Sequence, residues 1–323
     1  MLKSSQCIKW SGLLAFAVLS VLPQVRRPLC AQDYHTYATV QHPEQFDENW
    51  ALVYQKMDDM TRDVRSVVPH KLDIAYGSDK RQRLDVYFPN GTPKGAPVFM
   101  FIHGGGFREG DRANYGFIAK PFVAHGYVTV IPSYRLTENR FYYPSQPEDM
   151  HRALEWIYRN IAQYGGDPNR IYVGGHSVGG ILTEEVCVRG HWLIASGLPK
   201  NLIKGCAPVS ASIPVGDPKL AIGGGIYAKR QAEGNAYDHD PAHRDEANPL
   251  LNIDMAPPRA IFIVGSEEPV YHESARLFVK ELTARGTKAE FLLLPGFKHS
   301  DTVLGVGNEN SPVFQAILKT FGN

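Results

Sequence analysis

Long apolar runs, separated by helical segments, are the feature that most restricts how this chain can fold. Residues 97–102 (PVFMFI), 127–132 (YVTVIP), 259–265 (RAIFIVG) and 289–296 (AEFLLLPG) are apolar almost throughout. They lack the polar–apolar alternation of a strand with one face in water, and strands buried on both faces are typical of parallel sheets covered by helices. The sequence therefore predicts an α/β fold with a mostly parallel central sheet.

The segments between these runs carry hairpin and helix signals. KLDIAY and RLDVYF, joined by the polar turn GSDKRQ, predict two neighbouring strands. Met150, Leu154 and Ile157 are spaced for one face of a helix. Ser145 and Glu148 suit a capping box at the start of that helix. Strands that alternate with helices in this way predict a sheet with helices on both faces.

The domain organisation follows from where this alternation begins and is interrupted. We predict an α/β domain over residues 70–323, preceded by an N-terminal helical or cap segment at residues 32–69. Residues 211–258 are rich in Gly, Pro, Asp and His and interrupt the alternation between two strands. Long irregular insertions in compact domains are often functional. A lid-like insertion and a solvated surface loop remain equal alternatives for this stretch.

The first 31 residues have the composition of a secretory signal. Lys3 and Lys9 precede the apolar run GLLAFAVLSVL, and small residues follow, with Ala31 as the expected last residue before cleavage. The run is shorter than the about 20 residues that span a bilayer. We expect a cleaved signal peptide at 1–31, a secreted or periplasmic protein and no stable membrane span. The alternative is an uncleaved interfacial anchor.

Two cysteines, Cys187 and Cys206, remain after cleavage at Ala31. Neither lies in a C-x-x-C motif, so the sequence has no zinc or thioredoxin-type redox motif. Cysteine is commonly a small buried residue. Two buried free thiols are therefore the favoured prediction, and a disulfide between them remains possible.

The charge pattern argues against several classes of partner. Lys and Arg number 34 and Asp and Glu 33, which indicates no basic surface for nucleic acid. Asp238, His239 and His243 could in principle hold a metal ion, but polar runs of this kind are usually solvated loops. We expect no metal, no other cofactor and a small-molecule substrate.

The stretch GGHSVGG places one serine among four glycines, directly after the apolar segment RIYV. Gly175, Ser177 and Gly179 match G-x-S-x-G, in which a tight strand-to-helix turn lifts the serine hydroxyl above the sheet. The turn needs small residues two before and two after the serine. No Lys follows as in a phosphate-binding loop, and no G-x-G-x-x-G register surrounds the serine. The sequence therefore favours Ser177 as a nucleophile over a purely structural turn.

A second glycine motif, HGGGF, follows the apolar run at residues 97–102. Glycines let backbone N–H groups approach the oxygen that becomes negative during acyl transfer. We predict an oxyanion hole formed by the N–H groups of Gly105, Gly106 and Val178. His103 is expected to brace this loop rather than to act as a base.

A base and an acid are predicted on the two loops that follow the last two strands. Glu268 lies in SEEPV after RAIFIVG, and His299 lies in FKHSD after AEFLLLPG. This is the chain order Ser, acid, His, with His299 as general base and Glu268 as the carboxylate that orients it. Glu267 is the alternative acid, and a surface histidine is the alternative interpretation of His299.

Together these motifs resemble the α/β-hydrolase fold, in the esterase and lipase branch that carries the HGGG motif. HGGGF, YGGDPNRI, GHSVGG and NPLL look like small bacterial carboxylesterases, including the feruloyl and acetyl-xylan esterase-like group, over residues 70–323. KLDIAYGSDKRQRLDVYFP is similar to aryl (kynurenine) formamidases. Those enzymes usually carry Tyr and Trp where this chain has Gly106 and Phe107, and the family usually has Asp where this chain has Glu268.

The resemblance implies a serine carboxylic-ester hydrolase that cleaves short-acyl or aryl esters through an acyl-enzyme intermediate without a cofactor. One alternative is an aryl-formamidase-type amide hydrolase with the same triad. The other is a non-catalytic hydrolase-fold protein that only binds its ligand. The aromatic residues at 141–143 and Tyr271 are candidates for lining an acyl or aromatic pocket, or for the core.

Overall fold

The computed structural model of this chain describes residues 48–91, 94–211 and 246–322. The expected signal peptide at 1–31 and most of the 211–258 insertion lie outside these residues. The candidate metal ligands at 238, 239 and 243 also lie outside them.

The described residues form one eight-stranded sheet with the strand order β1-β2-β4-β3-β5-β6-β7-β8. The strands are β1 (His70–Ala75), β2 (Arg83–Tyr87), β3 (Ala96–Ile102), β4 (Val128–Pro132), β5 (Gly166–His176), β6 (Ile203–Val209), β7 (Arg259–Gly265) and β8 (Lys288–Leu294). The β1–β2 and β2–β4 pairs are antiparallel, and the other five pairs are parallel. The predicted hairpin and the mostly parallel sheet are confirmed.

Helices cover both faces of this sheet. The helices of the described residues are α1 (Trp50–Val67), α2 (Ala119–Ala124), α3 (Ser145–Asn160), α4 (Val178–Val188), α5 (Gly190–Ala195), α6 (Pro269–Ala284), α7 (His299–Val306) and α8 (Pro312–Phe321). All seven residues of β3 are buried. Val98 and Met100 pack into the core formed with α3, α4, α5 and α6, whereas Phe99 and Phe101 pack into the core with α1, α2, α7 and α8. The continuous apolar runs therefore supply both cores.

Helix α1 belongs to the second of these cores. Its buried residues Trp50, Tyr54, Met57 and Val64 recur at the three- and four-residue spacing of one helical face. They lie in the same cluster as residues of α7 and α8. The helical signal between residues 33 and 69 therefore corresponds to a helix that packs into this core.

The capping box expected at the start of α3 is wrong. The helix begins at Ser145 itself, so the cap position falls on Pro144, whose side chain offers no hydrogen-bond acceptor. The Glu148 carboxylate instead accepts a hydrogen bond from Arg135 Nη2 at 3.2 Å.

Cys187 and Cys206 form a disulfide, so the favoured prediction of two free thiols is wrong. Cys187 lies near the end of α4 and Cys206 lies in β6, with both side chains buried. Helix α4 packs over β6 and brings the two Cα atoms within 6.6 Å, which is inside the range that a disulfide can bridge. The disulfide joins α4, the helix that follows Ser177, to strand β6.

The disulfide generates a prediction about stability. It closes a loop between cysteines 19 residues apart, and loops of this size restrict the unfolded chain by an amount that corresponds to about 3 kcal/mol. We expect the Cys187→Ala/Cys206→Ala variant to lose about this much free energy of unfolding in urea titrations. Dithiothreitol should reproduce the loss in the wild-type protein and leave the double variant unchanged. Equal stability of the two proteins under oxidising conditions would contradict the prediction.

Candidate active site

Ser177 lies between the last residue of β5 and the first residue of α4. Its backbone has φ 57° and ψ −127°, a conformation that non-glycine residues rarely adopt. Its N–H donates to the carbonyl of Val209 at 3.0 Å, and its own carbonyl accepts from the N–H groups of Gly180 and Ile181. Backbone strain held in place by surrounding hydrogen bonds is common where a nucleophile is presented at the end of a strand.

The glycines on either side of Ser177 are required by close backbone contacts. A Cβ atom on Gly175 would lie 2.3 Å from the carbonyl oxygen of Gly179. A Cβ atom on Gly179 would lie 2.2 Å from the carbonyl oxygen of Ile102, at the end of β3. A side chain at either position would force the turn apart. The G-x-S-x-G spacing therefore has a steric cause in this structure.

The HGGGF loop passes directly beside Ser177. A Cβ atom on Gly104 would lie 3.2 Å from Ser177 Cβ. Gly105 and Gly106 both have positive φ, at 118° and 61°, so the loop makes a tight turn. The N–H groups of Gly105, Gly106 and Val178 donate no hydrogen bond to any other residue that the structure describes. These three predicted donors are therefore available to an oxygen bound near Ser177.

His103 lies beneath the loop and has no exposure to solvent. Its Nδ1 donates to the carbonyl of Gly104 at 2.7 Å, and its ring stacks on Tyr134 with 4.2 Å between centroids. Burial lowers the pKa of His103 to about 3, so the ring is neutral at ordinary pH. Its position and charge state suit the expected bracing role.

A buried ion-pair network holds the far end of the same loop. Arg81 donates to the carbonyls of Gly110 at 2.6 Å and Tyr134 at 2.7 Å, and pairs with Asp111 at 3.4 Å. Arg112 pairs with Asp85 of β2 at 3.0 Å. Sequence reasoning missed these residues, because Arg81 lies in the polar hairpin turn and nothing in its local pattern indicates its distant partners.

Glu268 and His299 lie on the two consecutive loops where the sequence predicts them, and the fold brings them into contact. His299 Nδ1 forms a short hydrogen bond with Glu268 Oε1, and both side chains are buried. The other oxygen, Oε2, accepts from Ser210 Oγ at 2.7 Å and from the Gly265 N–H at 2.9 Å. The carboxylate orients the ring through Nδ1, so Nε2 is the nitrogen that would exchange a proton with a nucleophile.

The main chain at His299 is held by residues that sequence reasoning did not identify. Thr302 Oγ1 donates to the carbonyl of His299 at 2.8 Å and contacts Ser210 Oγ at 2.6 Å. The Nε2 of His176, the residue before Ser177, donates to the same carbonyl at 3.0 Å. The position of His176 beside Ser177 is a sequence signal that could have found it. The role of Thr302 depends on a contact between α7 and Ser210, the residue that follows β6.

The segment before α1 also contacts the start of α7. The Glu48 carboxylate accepts from the Ser300 N–H at 3.1 Å and from the Ser300 hydroxyl. The Trp50 ring lies edge-on to the His299 ring, with 5.5 Å between centroids. Burial raises the pKa of Glu48, and the hydrogen bonds from Ser300 and the charge on His299 oppose this shift. The N-terminal segment therefore caps the helix whose first residue is His299.

A small, partly open pocket lies next to the glycine loop and the elbow. It is lined by residues of the loop, of α3 and its N-terminal flank, of α4 and of the described end of the insertion: Phe107, Tyr143, Gln146, Pro147, Ile181, Leu182, Glu185 and Ala247. Phe107 also packs on Val178, Ile181 and Ala211. Tyr143, one of the aromatic candidates from the sequence, therefore lines this pocket, whereas Tyr271 stacks on the His299 ring at 5.7 Å.

Within residues 48–91, 94–211 and 246–322, no group of three or more His, Cys, Asp or Glu side chains is arranged to hold a metal ion. In the same residues, no helix combines the length and apolar character needed to cross a membrane.

Comparisons with known proteins agree with this architecture. Residues 84–191 match the profile of the BD-FAE family. Among solved structures, esterase B from Lactobacillus rhamnosus superposes with a TM-score of 0.69 at 21% identity, covering 84% of this chain and 91% of that one. The chain therefore has the α/β-hydrolase fold.

An esterase and a formamidase are similar to this chain in sequence. Esterase LipC of Mycobacterium tuberculosis is 29% identical over 272 residues, which is 77% of this chain and 64% of that protein. Kynurenine formamidase of Danio rerio is 24% identical over 279 residues, which is 81% of this chain and 85% of that protein. The chain thus spans somewhat less than two thirds of the mycobacterial relative. The chain is thus similar in sequence to an esterase and to a formamidase.

The two adjacent glutamates allow a sharp test of the site. Glu268 is buried against His299, whereas Glu267 is exposed and accepts only from the Ser266 hydroxyl at 3.1 Å. Loss of the orienting carboxylate in a serine triad lowers kcat by about 10⁴-fold while the fold is kept. We expect this result for Glu268→Gln, and near-normal kcat for the matched control Glu267→Gln, with unchanged melting temperatures. If Glu267→Gln lowers kcat strongly and Glu268→Gln does not, then Glu267 is the acid.

The contact between Glu48 and Ser300 gives another prediction. Loss of a side-chain acceptor at a helix start costs about 1 kcal/mol, and α7 starts with His299. We expect Glu48→Ala to lower the melting temperature and to reduce kcat several-fold, whereas Glu48→Gln, which keeps one acceptor oxygen, retains most of both. Asp59→Ala is the control, because Asp59 is an exposed carboxylate of α1 that pairs only with nearby Arg62. If Glu48→Ala has the same melting temperature and kcat as this control, Glu48 does not stabilise the start of α7.

Proposed function

We propose that this protein is a serine hydrolase that cleaves carboxylic esters with short acyl or aryl groups through an acyl-enzyme intermediate. The observation that carries the proposal is the buried His299–Glu268 pair, which lies on the two loops that follow β7 and β8. The strained Ser177 turn and the glycine loop lie at the same carboxyl edge of the sheet. The esterase relatives support the same reaction.

In the proposed mechanism, Ser177 Oγ attacks the ester carbonyl carbon while His299 Nε2 takes the hydroxyl proton. The Glu268 carboxylate stabilises the resulting imidazolium through Nδ1. The N–H groups of Gly105, Gly106 and Val178 donate to the oxygen that becomes negative. His299 then returns the proton to the departing alcohol, which leaves the acyl group on Ser177.

Hydrolysis of the acyl-enzyme repeats these roles. Water attacks the acyl carbon while His299 removes one of its protons, and the same N–H groups stabilise the second tetrahedral intermediate. Collapse of that intermediate releases the acid, and His299 gives the proton back to Ser177 Oγ. Every proton in this cycle moves through His299, so the proposal requires no metal or organic cofactor.

An aryl-formamidase activity is the second candidate, because a formamidase from Danio rerio matches most of the chain. The same nucleophile, base and oxyanion donors would cleave an N-formyl amide. The ester is favoured because Gly106 and Phe107 depart from the Tyr and Trp of the formamidase motif. A hydrolase-fold protein that only binds its ligand would show neither reaction.

We propose export from the cytoplasm as well, into the periplasm or the medium. The charged and apolar pattern of residues 1–31 supports it. The disulfide between Cys187 and Cys206 is consistent with an oxidising compartment, because such bonds are rare in cytosolic proteins of mesophiles.

The proposed chemistry predicts covalent labelling of Ser177. A fluorophosphonate probe should modify this residue, and Ser177→Ala should abolish labelling and lower kcat by at least about 10⁴-fold. The exposed Ser66 gives a matched control, because the Ser66→Ala variant should keep the labelling of Ser177 and the wild-type kcat. Activity should be unchanged by EDTA. Labelling that survives in Ser177→Ala would overturn the assignment.

A substrate panel should distinguish the two reactions. We expect 4-nitrophenyl acetate and butanoate, and aryl-acyl esters, to be cleaved with higher kcat/KM than long-chain acyl esters. N-formyl-aryl amides should be poorer substrates. If they exceed every ester in kcat/KM, the formamidase activity replaces the esterase activity.

A further inference from the structure

Ser210, the residue directly after β6, lies where two parts of the site meet. The carbonyl of Val209, the residue before it, accepts a hydrogen bond from the N–H of Ser177 at 3.0 Å. The Oγ of Ser210 itself donates to Glu268 Oε2 at 2.7 Å. Two consecutive residues at the end of β6 therefore hold the serine turn on one side and the carboxylate on the other.

The backbone of Ser210 adopts a conformation that serine rarely takes. Its φ is 48°, in the left-handed region that favours glycine. Its N–H donates to the carbonyl of Ile263 in β7 at 2.7 Å, so a hydrogen bond to the neighbouring strand holds it there. Conformations of this kind persist where the surrounding structure enforces them, often at functional sites. The Ser210 side chain is fully buried, so its hydroxyl can affect a bound substrate only through the residues that it contacts.

The two carboxylate oxygens of Glu268 have separate partners. Oε1 forms the short hydrogen bond with His299 Nδ1, whereas Oε2 accepts from Ser210 Oγ and from the Gly265 N–H at 2.9 Å. A glutamate side chain has three rotatable bonds, so an unheld carboxylate would have several rotamers open to it. Hydrogen bonds to an ionised group are stronger than those between neutral groups. The two donors on Oε2 therefore fix the direction in which Oε1 faces the imidazole.

Thr302 extends this arrangement to the main chain of His299. Its Oγ1 lies 2.6 Å from Ser210 Oγ and 2.8 Å from the carbonyl of His299. An ionised carboxylate only accepts hydrogen bonds, so the one hydroxyl proton of Ser210 is committed to Glu268. The Thr302 hydroxyl is then the donor for both of its own contacts. The acid and the base are therefore joined through two hydroxyl groups as well as by their direct contact.

We propose that Ser210 is a positioning residue for the acid of the triad, and that its hydroxyl holds Glu268 in the orientation that supports His299. The inference rests on the proposed ester hydrolysis, in which Glu268 and His299 act as acid and base. It adds a residue on which that pair depends. Thr302 supports the same orientation through its contact with Ser210.

Two substitutions separate the hydroxyl of Ser210 from its backbone conformation. Ser210→Ala and Ser210→Gly both remove the hydroxyl, but only glycine adopts this φ without strain. We expect kcat for 4-nitrophenyl acetate to fall about tenfold to hundredfold in both variants, the range that a hydrogen bond to a charged group represents. The value of kcat/KM should fall by the same factor. The melting temperature should be higher for Ser210→Gly than for Ser210→Ala, so a loss of stability does not account for the loss of kcat.

A double-mutant cycle tests whether Ser210 acts through Glu268. The Glu268→Ala variant has no carboxylate to hold, so adding Ser210→Ala should lower its kcat by less than about twofold. If neither Ser210 variant folds, Thr302→Val makes the same comparison, because it removes the contact with Ser210 Oγ and keeps the shape of the side chain. We expect it to lower kcat several-fold in the wild-type background and much less in the Glu268→Ala background.

Matched controls remove buried hydroxyl groups that lie away from Glu268. Ser311→Ala removes the hydroxyl that caps α8. Thr287→Val removes a hydroxyl that donates to the Pro257 carbonyl at 2.8 Å, at the opposite end of β8 from His299. Both controls should lower the melting temperature and keep the wild-type kcat.

Each outcome bears on one of the two proposals. Wild-type kcat in both Ser210 variants, or an equal loss of kcat when residue 268 is already alanine, would overturn the positioning role. A fall in kcat that follows the melting temperature in the controls as well would also overturn it. The proposed function would stand in these cases, provided that the wild-type protein cleaves the ester and the fluorophosphonate labels Ser177. If the wild-type protein does neither, the ester hydrolase itself is overturned.

Discussion

The tight turn at Ser177 is the constraint on which the rest of the site depends. The turn is possible only because Gly175 and Gly179 let β5, α4 and the end of β3 approach to backbone contact. That approach brings the glycine loop after β3 beside the serine, as the 3.2 Å separation of a Gly104 Cβ from Ser177 Cβ shows. Ser177 and the predicted oxyanion donors are therefore brought together by one packing arrangement between two adjacent strands.

The opposite side of the site depends on hydrogen bonds between loops. Glu268 is held by Ser210 and Gly265, while the carbonyl of His299 is held by Thr302 and His176. These contacts join the ends of β5, β6, β7 and β8, so the imidazole is positioned by four parallel strands together. Preorganised groups of this kind need not rearrange during reaction, which is the basis of electrostatic catalysis.

Residues with strong local patterns could be predicted, and those that act through distant partners could not. Ser177, Glu268 and His299 each follow an apolar strand, and parallel strands end at one edge of the sheet, so their proximity follows from the chain order. Glu48 and Ser300 are 252 residues apart, and no local pattern pairs them. The disulfide was missed for the same reason, because the packing of α4 over β6 decides whether Cys187 and Cys206 meet.

The sequence by itself determined the α/β class, the mostly parallel sheet, the glycine turn and the order in which the candidate site residues occur. These properties rest on short-range physics: apolar periodicity, turn sterics and the edge at which parallel strands end. Only the tertiary structure decided which polar groups surround those residues, including Arg81 behind the loop and Ser210 beside Glu268. Burial and hydrogen-bond partners depend on contacts between elements far apart in the chain, which no local pattern specifies.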